Sequence, residues 1–181
     1  MTEDIEDLTP FFEDRCWMFV HLARQAHVGV ILRRGPTEWW RVTLWDTQSD
    51  RFEAGQWFRG HLYPDRCDIS PDGTNLAVTV GENGPIRILS LRGLPEQRIR
   101  VKKPKGIRSV DWAGDGKGFF LSAQQAGTEI WHVDLRGNAQ VLWTTDVFLG
   151  EAHEARPSPD GRHLAIQTWA TSGNLWMMEN F

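Results

Sequence analysis

Ser70-Pro71-Asp72-Gly73, followed closely by the apolar run Leu76-Ala77-Val78, decides how this chain is read. The tetrapeptide returns as Ser158-Pro159-Asp160-Gly161 ahead of Leu164-Ala165-Ile166. A degraded copy, Ala113-Gly114-Asp115-Gly116, precedes Phe119-Phe120-Leu121. The three aspartates stand at 72, 115 and 160, so they are 43 and 45 residues apart. Each copy lies between two strand-like runs. Proline pre-sets φ at the second turn position, aspartate tolerates turn geometry, and glycine supplies positive φ. The unit is therefore a tight hairpin turn that fixes the register of its flanking strands. Recurrence at such a period marks an array of like units.

A second landmark keeps the same period. Asp46, Ser90, Asp134 and Glu179 are 44, 44 and 45 residues apart. Each closes a run with alternating apolar residues, such as Ile130-Trp131-His132-Val133 or Leu175-Trp176-Met177-Met178. Four strand-like runs per period predict an all-β chain of four-stranded antiparallel blades, the unit of a β-propeller. The blades fall at about 15–58, 64–103, 106–145 and 152–181, behind an acidic arm over 1–14. The last blade has three runs where the others have four. An open array leaves unpaired edges and an uncovered apolar face. Completion is therefore expected, either from the arm or from a second chain, giving a monomer or a homodimer. The arm's Ile5, Leu8, Phe11 and Phe12 could supply the contacts, and Pro10 suits an edge strand.

Composition sets the bounds. The chain has 181 residues, a net charge of -4 and ten tryptophans, which suits a strand-rich core. Cys16 and Cys67 have neither metal nor redox spacing. The acidic start and the lack of a long apolar run predict no signal core and no membrane span. A cytoplasmic location is expected, or a periplasmic one if a leader is removed.

The turn-plus-strand pattern resembles the TolB-like, WD40-like propeller repeats of bacteria, which are related to the propellers of the prolyl oligopeptidase group. The matching pieces are 69–80, 109–133 and 156–178. Gly29-Val30-Ile31-Leu32-Arg33-Arg34-Gly35-Pro36, with 52–57 and 66–73, is also similar to a group of uncharacterised bacterial proteins. The resemblance implies a propeller scaffold. It implies roles of the kind found among periplasmic interaction proteins, sensor domains and gating domains of peptidases.

The sequence points away from catalysis. It holds no Gly-x-Ser-x-Gly elbow and no phosphate-binding glycine loop. Its six histidines are scattered, with no pair at metal-ligand spacing, so neither metal nor cofactor is expected. The basic stretch Arg98, Arg100, Lys102, Lys103, Lys105, Arg108 opens with a strand expected at 97–102, in which Ile99 and Val101 take one face and Arg98, Arg100 and Lys102 the other. It reads as an outer strand whose cations protect an exposed edge, rather than as a nucleic-acid surface.

Two sets of candidate binding residues remain. Asp68, Asp111 and Arg156 each stand four residues before the turn aspartate of their blade, on the innermost strand that would line a channel. Two acids beside one arginine would pair there, because an unpaired charge in a narrow channel is costly. The second set lies on the rim shared by blade linkers and second-to-third-strand loops. It holds Arg33, Arg34, Trp39, His61, Lys105 and Trp169, with Glu38 and Tyr63 beside them. Exposed aromatics next to arginines are what interfaces favour. The expected function is a non-enzymatic scaffold that binds a protein or peptide on this rim. The alternatives are a propeller holding a small ligand or sugar, or a regulatory propeller of a peptidase-like hydrolase with its catalytic domain elsewhere.

Overall fold

The computed structural model describes residues 17–35, 38–79, 83–124, 127–145 and 153–168. The first sheet comprises β1 (Met18–Leu22), β2 (Val28–Arg34), β3 (Trp39–Asp46) and β4 (Arg51–Arg59), paired in chain order. The second has β5 (Cys67–Ile69), β6 (Asn75–Thr79), β7 (Ile86–Ser90) and β8 (Gln97–Ile99). The third has β9 (Ile107–Trp112), β10 (Gly118–Gln124), β11 (Thr128–Asp134) and β12 (Ala139–Thr145). The fourth holds the hairpin β13 (His153–Pro157) and β14 (Leu164–Thr168). All pairings are antiparallel. The blades follow one another in an arc, with β1 beside β5, β5 beside β9 and β9 beside β13. The one helical element among the described residues is the 3-10 turn Pro64–Arg66, and none of their helices is long and apolar enough to cross a membrane.

Hydrophobic alternation explains the packing. Val30, Leu32 and Trp40 of the first blade pack on Cys67, Ile69, Leu76 and Val78 of the second. The second blade's other face sends Ala77, Ile86, Ile88 and Ile99 against Val110, Trp112, Phe119 and Leu121 of the third. Blade two is thus covered on both faces, and every residue of β5 and all of β6 after Asn75 are buried. The Trp112 and Phe119 rings lie 4.4 Å apart, on residues paired across β9 and β10. Cys67 is a buried thiol, pushed well above its ordinary pKa by burial, with Asp65 and Asp68 adding to the effect.

The repeated turns share one hydrogen-bond plan. Ser70 N–H donates to the Asn75 carbonyl, and Gly73 N–H to the Ser70 carbonyl. Ser70 Oγ accepts the Asn75 N–H, while Asp72 accepts the Thr74 N–H. Ser158 and Asp160 repeat both side-chain roles toward His163 and Arg162. In the degraded copy Asp115 still accepts the Lys117 N–H, but Ala113 has no hydroxyl to offer. Asp46, Ser90 and Asp134 cap the next turn of their blades by accepting the N–H of Gln48, Arg92 and Arg136.

The outer strand expected at 97–102 is shorter, ending at Ile99. It is still the edge of its sheet, and its Arg98 is exposed and ion-paired with Glu96, which also binds Arg87. The fourth blade's third run at 174–179, the arm over 1–14, and Trp169 and Trp176 lie outside the described residues.

Gly73 and Gly161 both hold the left-handed backbone the turn requires, at φ +71° and +69°. Their surroundings differ. A Cβ on Gly73 would stand 2.8 Å from Val28 Cβ of the neighbouring blade, whereas one on Gly161 would meet nothing closer than 3.6 Å. Both valine variants are strained by roughly 1–2 kcal/mol at this φ. Gly73→Val must also push two blades apart, and is expected to cost at least about 1 kcal/mol more than Gly161→Val. Urea midpoints of the two variants check this; equal losses would contradict the packing of the Gly73 turn against the first blade.

Candidate functional site

Four charged or titratable residues take one structural position. In each hairpin, one residue sends its N–H across the turn: Ala23 to Val28, Ser70 to Asn75, Ala113 to Gly118, and Ser158 to His163. Two residues before these donors come His21, Asp68, Asp111 and Arg156. They face Val30, Ala77, Phe120 and Ala165 on the second strands of their blades. A shared position on adjacent inner strands brings them together.

Arg24, in the turn after β1, completes the cluster. Its guanidinium lies 3.0 Å from Asp68 Oδ2 and 3.6 Å from Asp111 Oδ1, and donates to the Trp112 carbonyl at 3.1 Å. Asp68 Oδ2 also accepts the Trp112 N–H at 2.8 Å, and the Asp68 carbonyl accepts the Trp112 indole N–H at 3.1 Å. Arg156 donates to Asp111 Oδ1 at 2.7 Å and lies 3.1 Å from Glu154 Oε2. Gln25 ties the same turn to blades two and three, donating from its backbone to Pro71 and from its side chain to Gly114.

The electrostatics follow from burial. Burial lifts the Asp111 carboxyl to about 7 and Asp68 adds to this, although Arg156 and Arg24 pull the other way. Its Oδ2 is buried without a hydrogen-bond partner. Burial also pushes His21 below its ordinary value; Asp68 opposes the shift and Arg156 reinforces it. His21 Nε2 is likewise buried and unpartnered. For Arg156 burial opposes the charge, but Asp111 and Glu154 outweigh it and raise the pKa.

A second site opens on the rim of the first blade. It is a cavity of about 330 Å³ between β1, the end of β2, the start of β3 and the linker that leads to β5. Trp17 and Phe19 stack at 6.2 Å and Trp40 stands behind Phe19, so three aromatic rings form one wall. Leu62, Tyr63 and Pro64 form another. The linker is held by Gly60, whose N–H donates to the Glu38 carbonyl and whose carbonyl accepts the Trp40 indole N–H. Arg34 and the pair His61–Glu38, with Nε2 2.8 Å from Oε1, supply the polar edge. Arg66 lies over the Tyr63 ring at 4.4 Å.

The predicted rim residues are divided between places. Arg34, His61, Glu38 and Tyr63 line the cavity. Trp39 is 43% exposed, and its neighbour Trp40, 5% exposed, is the pocket wall. Arg33 belongs to the opposite face, in a row with Met18 and Arg41. Lys105 lies exposed at the next station of the rim, beside Gly106, whose N–H donates to Asn83. Sequence reasoning missed His21 and Arg24, because the first hairpin lacks the Ser-Pro-Asp-Gly turn. Arg24 stands 44 residues before Asp68, a spacing that could have pointed to it.

Compared with solved structures, the arc is a set of β-propeller blades. TolB from Acinetobacter baumannii matches 88% of this chain at a TM-score of 0.64 and 22% identity, over 40% of its own length. A structure from work on two prolyl endopeptidases matches 84% of this chain at a TM-score of 0.56 and 15% identity, over 26% of its length. No protein-family model matches the chain, and no curated protein does. The fold is thus that of a TolB-like β-propeller, and the chain spans well under half the length of the TolB chain it matches.

The Asp111 shift sets a pH dependence. A carboxyl that holds its proton more tightly when folded contributes stability that is complete below about pH 4 and lost as the pH rises through about 7. His21 works in the other sense, its contribution fading as the pH falls below the ordinary histidine range. Wild type should lose stability relative to Asp111→Asn as the pH rises from about 4 to 7. Urea unfolding of both proteins across that range checks this, and parallel profiles would contradict it.

Proposed function

We propose that this chain is a non-enzymatic propeller scaffold that binds a protein or peptide segment on its loop rim, seated in the aromatic cavity of the first blade. The observation that carries the reading is the composition of that cavity. Trp17, Phe19, Trp40 and Tyr63 surround one opening, with Arg34 and the His61–Glu38 pair at its edge. Rigid aromatics next to an arginine are the side chains that dominate binding energy at protein interfaces. The volume suits one or two side chains of a partner rather than a large cofactor. The exposed polar edge supplies the rim that surrounds such anchors.

Peptides selected from a random display library on the intact chain provide the test. Tyr63→Ala and Arg34→Ala should each weaken the selected peptides by at least about tenfold, which is ~1.4 kcal/mol. Tyr63 is 46% exposed, so its truncation is expected to leave the melting temperature nearly unchanged. Selected peptides that bind wild type and both variants equally would place the binding surface elsewhere.

A further inference from the structure

The repeat allows one blade to be compared with the next at equivalent positions. One residue before the turn donors Ala23, Ser70, Ala113 and Ser158 stand Leu22, Ile69, Trp112 and Pro157. Three residues before them stand Val20, Cys67, Val110 and Ala155. In blades two and three these side chains belong to the leading face, which packs on the blade before. Where a blade precedes, both positions are buried: Cys67 and Ile69, Val110 and Trp112, Ala155 and Pro157. In the first blade Val20 is 46% exposed and Leu22 55%. Met18, Phe52 and Trp57 share that face by strand register and are exposed with them. The same repeat position is thus covered three times and open once. Contiguous apolar exposure of this kind marks an interaction surface.

The opposite, trailing face shows the converse. Its second-strand positions are Val30, Ala77, Phe120 and Ala165, paired with His21, Asp68, Asp111 and Arg156. Val30 and Ala77 are fully buried against the following blade. Phe120, on the strand next to β13, is half-buried, and Ala165 is exposed. The described residues therefore carry one open leading face and one open trailing face, the two halves of a joint that their own blades make with each other. We propose that a second copy of this chain closes both. The trailing face of its β13–β14 hairpin packs on Val20 and Leu22, and a two-fold axis makes the same joint the other way round. Continuity with the joints inside the chain carries this choice of occupant. Val30 and Ala77 show what a leading face receives, and a head-to-tail contact whose rotation closes gives a ring. Leading face on leading face would be a joint that no two described blades make. With four sheets per copy, two copies stay within the roughly four to eight blades typical of propellers. Each copy then caps the repeat array of the other, as an open array requires.

The test uses the intact chain in two measurements. Light scattering after size-exclusion chromatography should give the mass of two chains. Val20→Asp/Leu22→Asp should weaken the dimer at least about tenfold, because both charges would enter an apolar joint. Leu94→Asp, on an exposed residue of the second blade, should leave it unchanged. In the second measurement a photo-crosslinking phenylalanine analogue replaces Leu22, and isotopically light and heavy chains are mixed before irradiation. Mass spectrometry should find crosslinks between chains, to peptides containing Arg156 or Ala165. A wild-type monomer, or an assembly larger than two chains, would overturn the proposal. So would a dimer that the double variant leaves intact, crosslinks confined to one chain, or crosslinks from β1 to β1 of the second copy. The wild-type mass and the crosslink map stand whether or not the double variant folds.

Discussion

A carboxylate taken out of water must be answered by donors, and Asp68 is answered from both neighbouring blades. Arg24 reaches it from the first, and the Trp112 backbone N–H from the third. The Asp68 carbonyl then receives the Trp112 indole N–H, so a single residue of β5 joins three blades. Such a joint is directional where apolar packing is not. The contacts of the two hydrophobic clusters would tolerate small slips between blades. The hydrogen bonds at Asp68 would not, because a slip leaves a buried charge unpaired.

The rest of the cluster extends the same logic along the inner strands. The repeat presents one position per blade, and the chain fills it with histidine, two aspartates and an arginine instead of one residue type. Asp111 pairs with Arg156 of the next blade, and Arg24 lies against both neighbouring aspartates. Burial is not fully compensated: Asp111 Oδ2 and His21 Nε2 have no partners, and both groups shift toward their neutral forms. The rim pocket sits on the same scaffold at a different place, where the linker after β4 folds over Trp40.

Much of this was legible in the sequence for a physical reason. Turn chemistry is local, so Ser-Pro-Asp-Gly and the capping residues Asp46, Ser90 and Asp134 announce the repeat directly. Once the period is known, Asp68, Asp111 and Arg156 fall on equivalent inner-strand positions. The first blade was less legible because its hairpin turns through Ala23-Arg24-Gln25-Ala26-His27 and carries none of the usual signals. His21 and Arg24 therefore stayed hidden until the N–H of Ala23 was seen to take the place of the Ser70 N–H. The Trp39-Trp40 pair shows the other limit of sequence reading. In a strand one of two adjacent residues faces inward, and only the pairing of Arg34 with Trp40 decides which. Arg33 and Arg34 divide between the two faces of the blade for the same reason.

The central claim is that the blades are locked by charged hydrogen bonds between inner strands, with Asp68 as the joint. A double-mutant cycle of Arg24→Met and Asp68→Asn, read by urea unfolding, tests it most directly. Contacting residues of one buried network couple by about 0.5–3 kcal/mol, and a value in the upper half of that range is predicted here. Losses that simply add, within about 0.3–0.5 kcal/mol, would show that the two side chains act independently and that apolar packing alone holds the arc together.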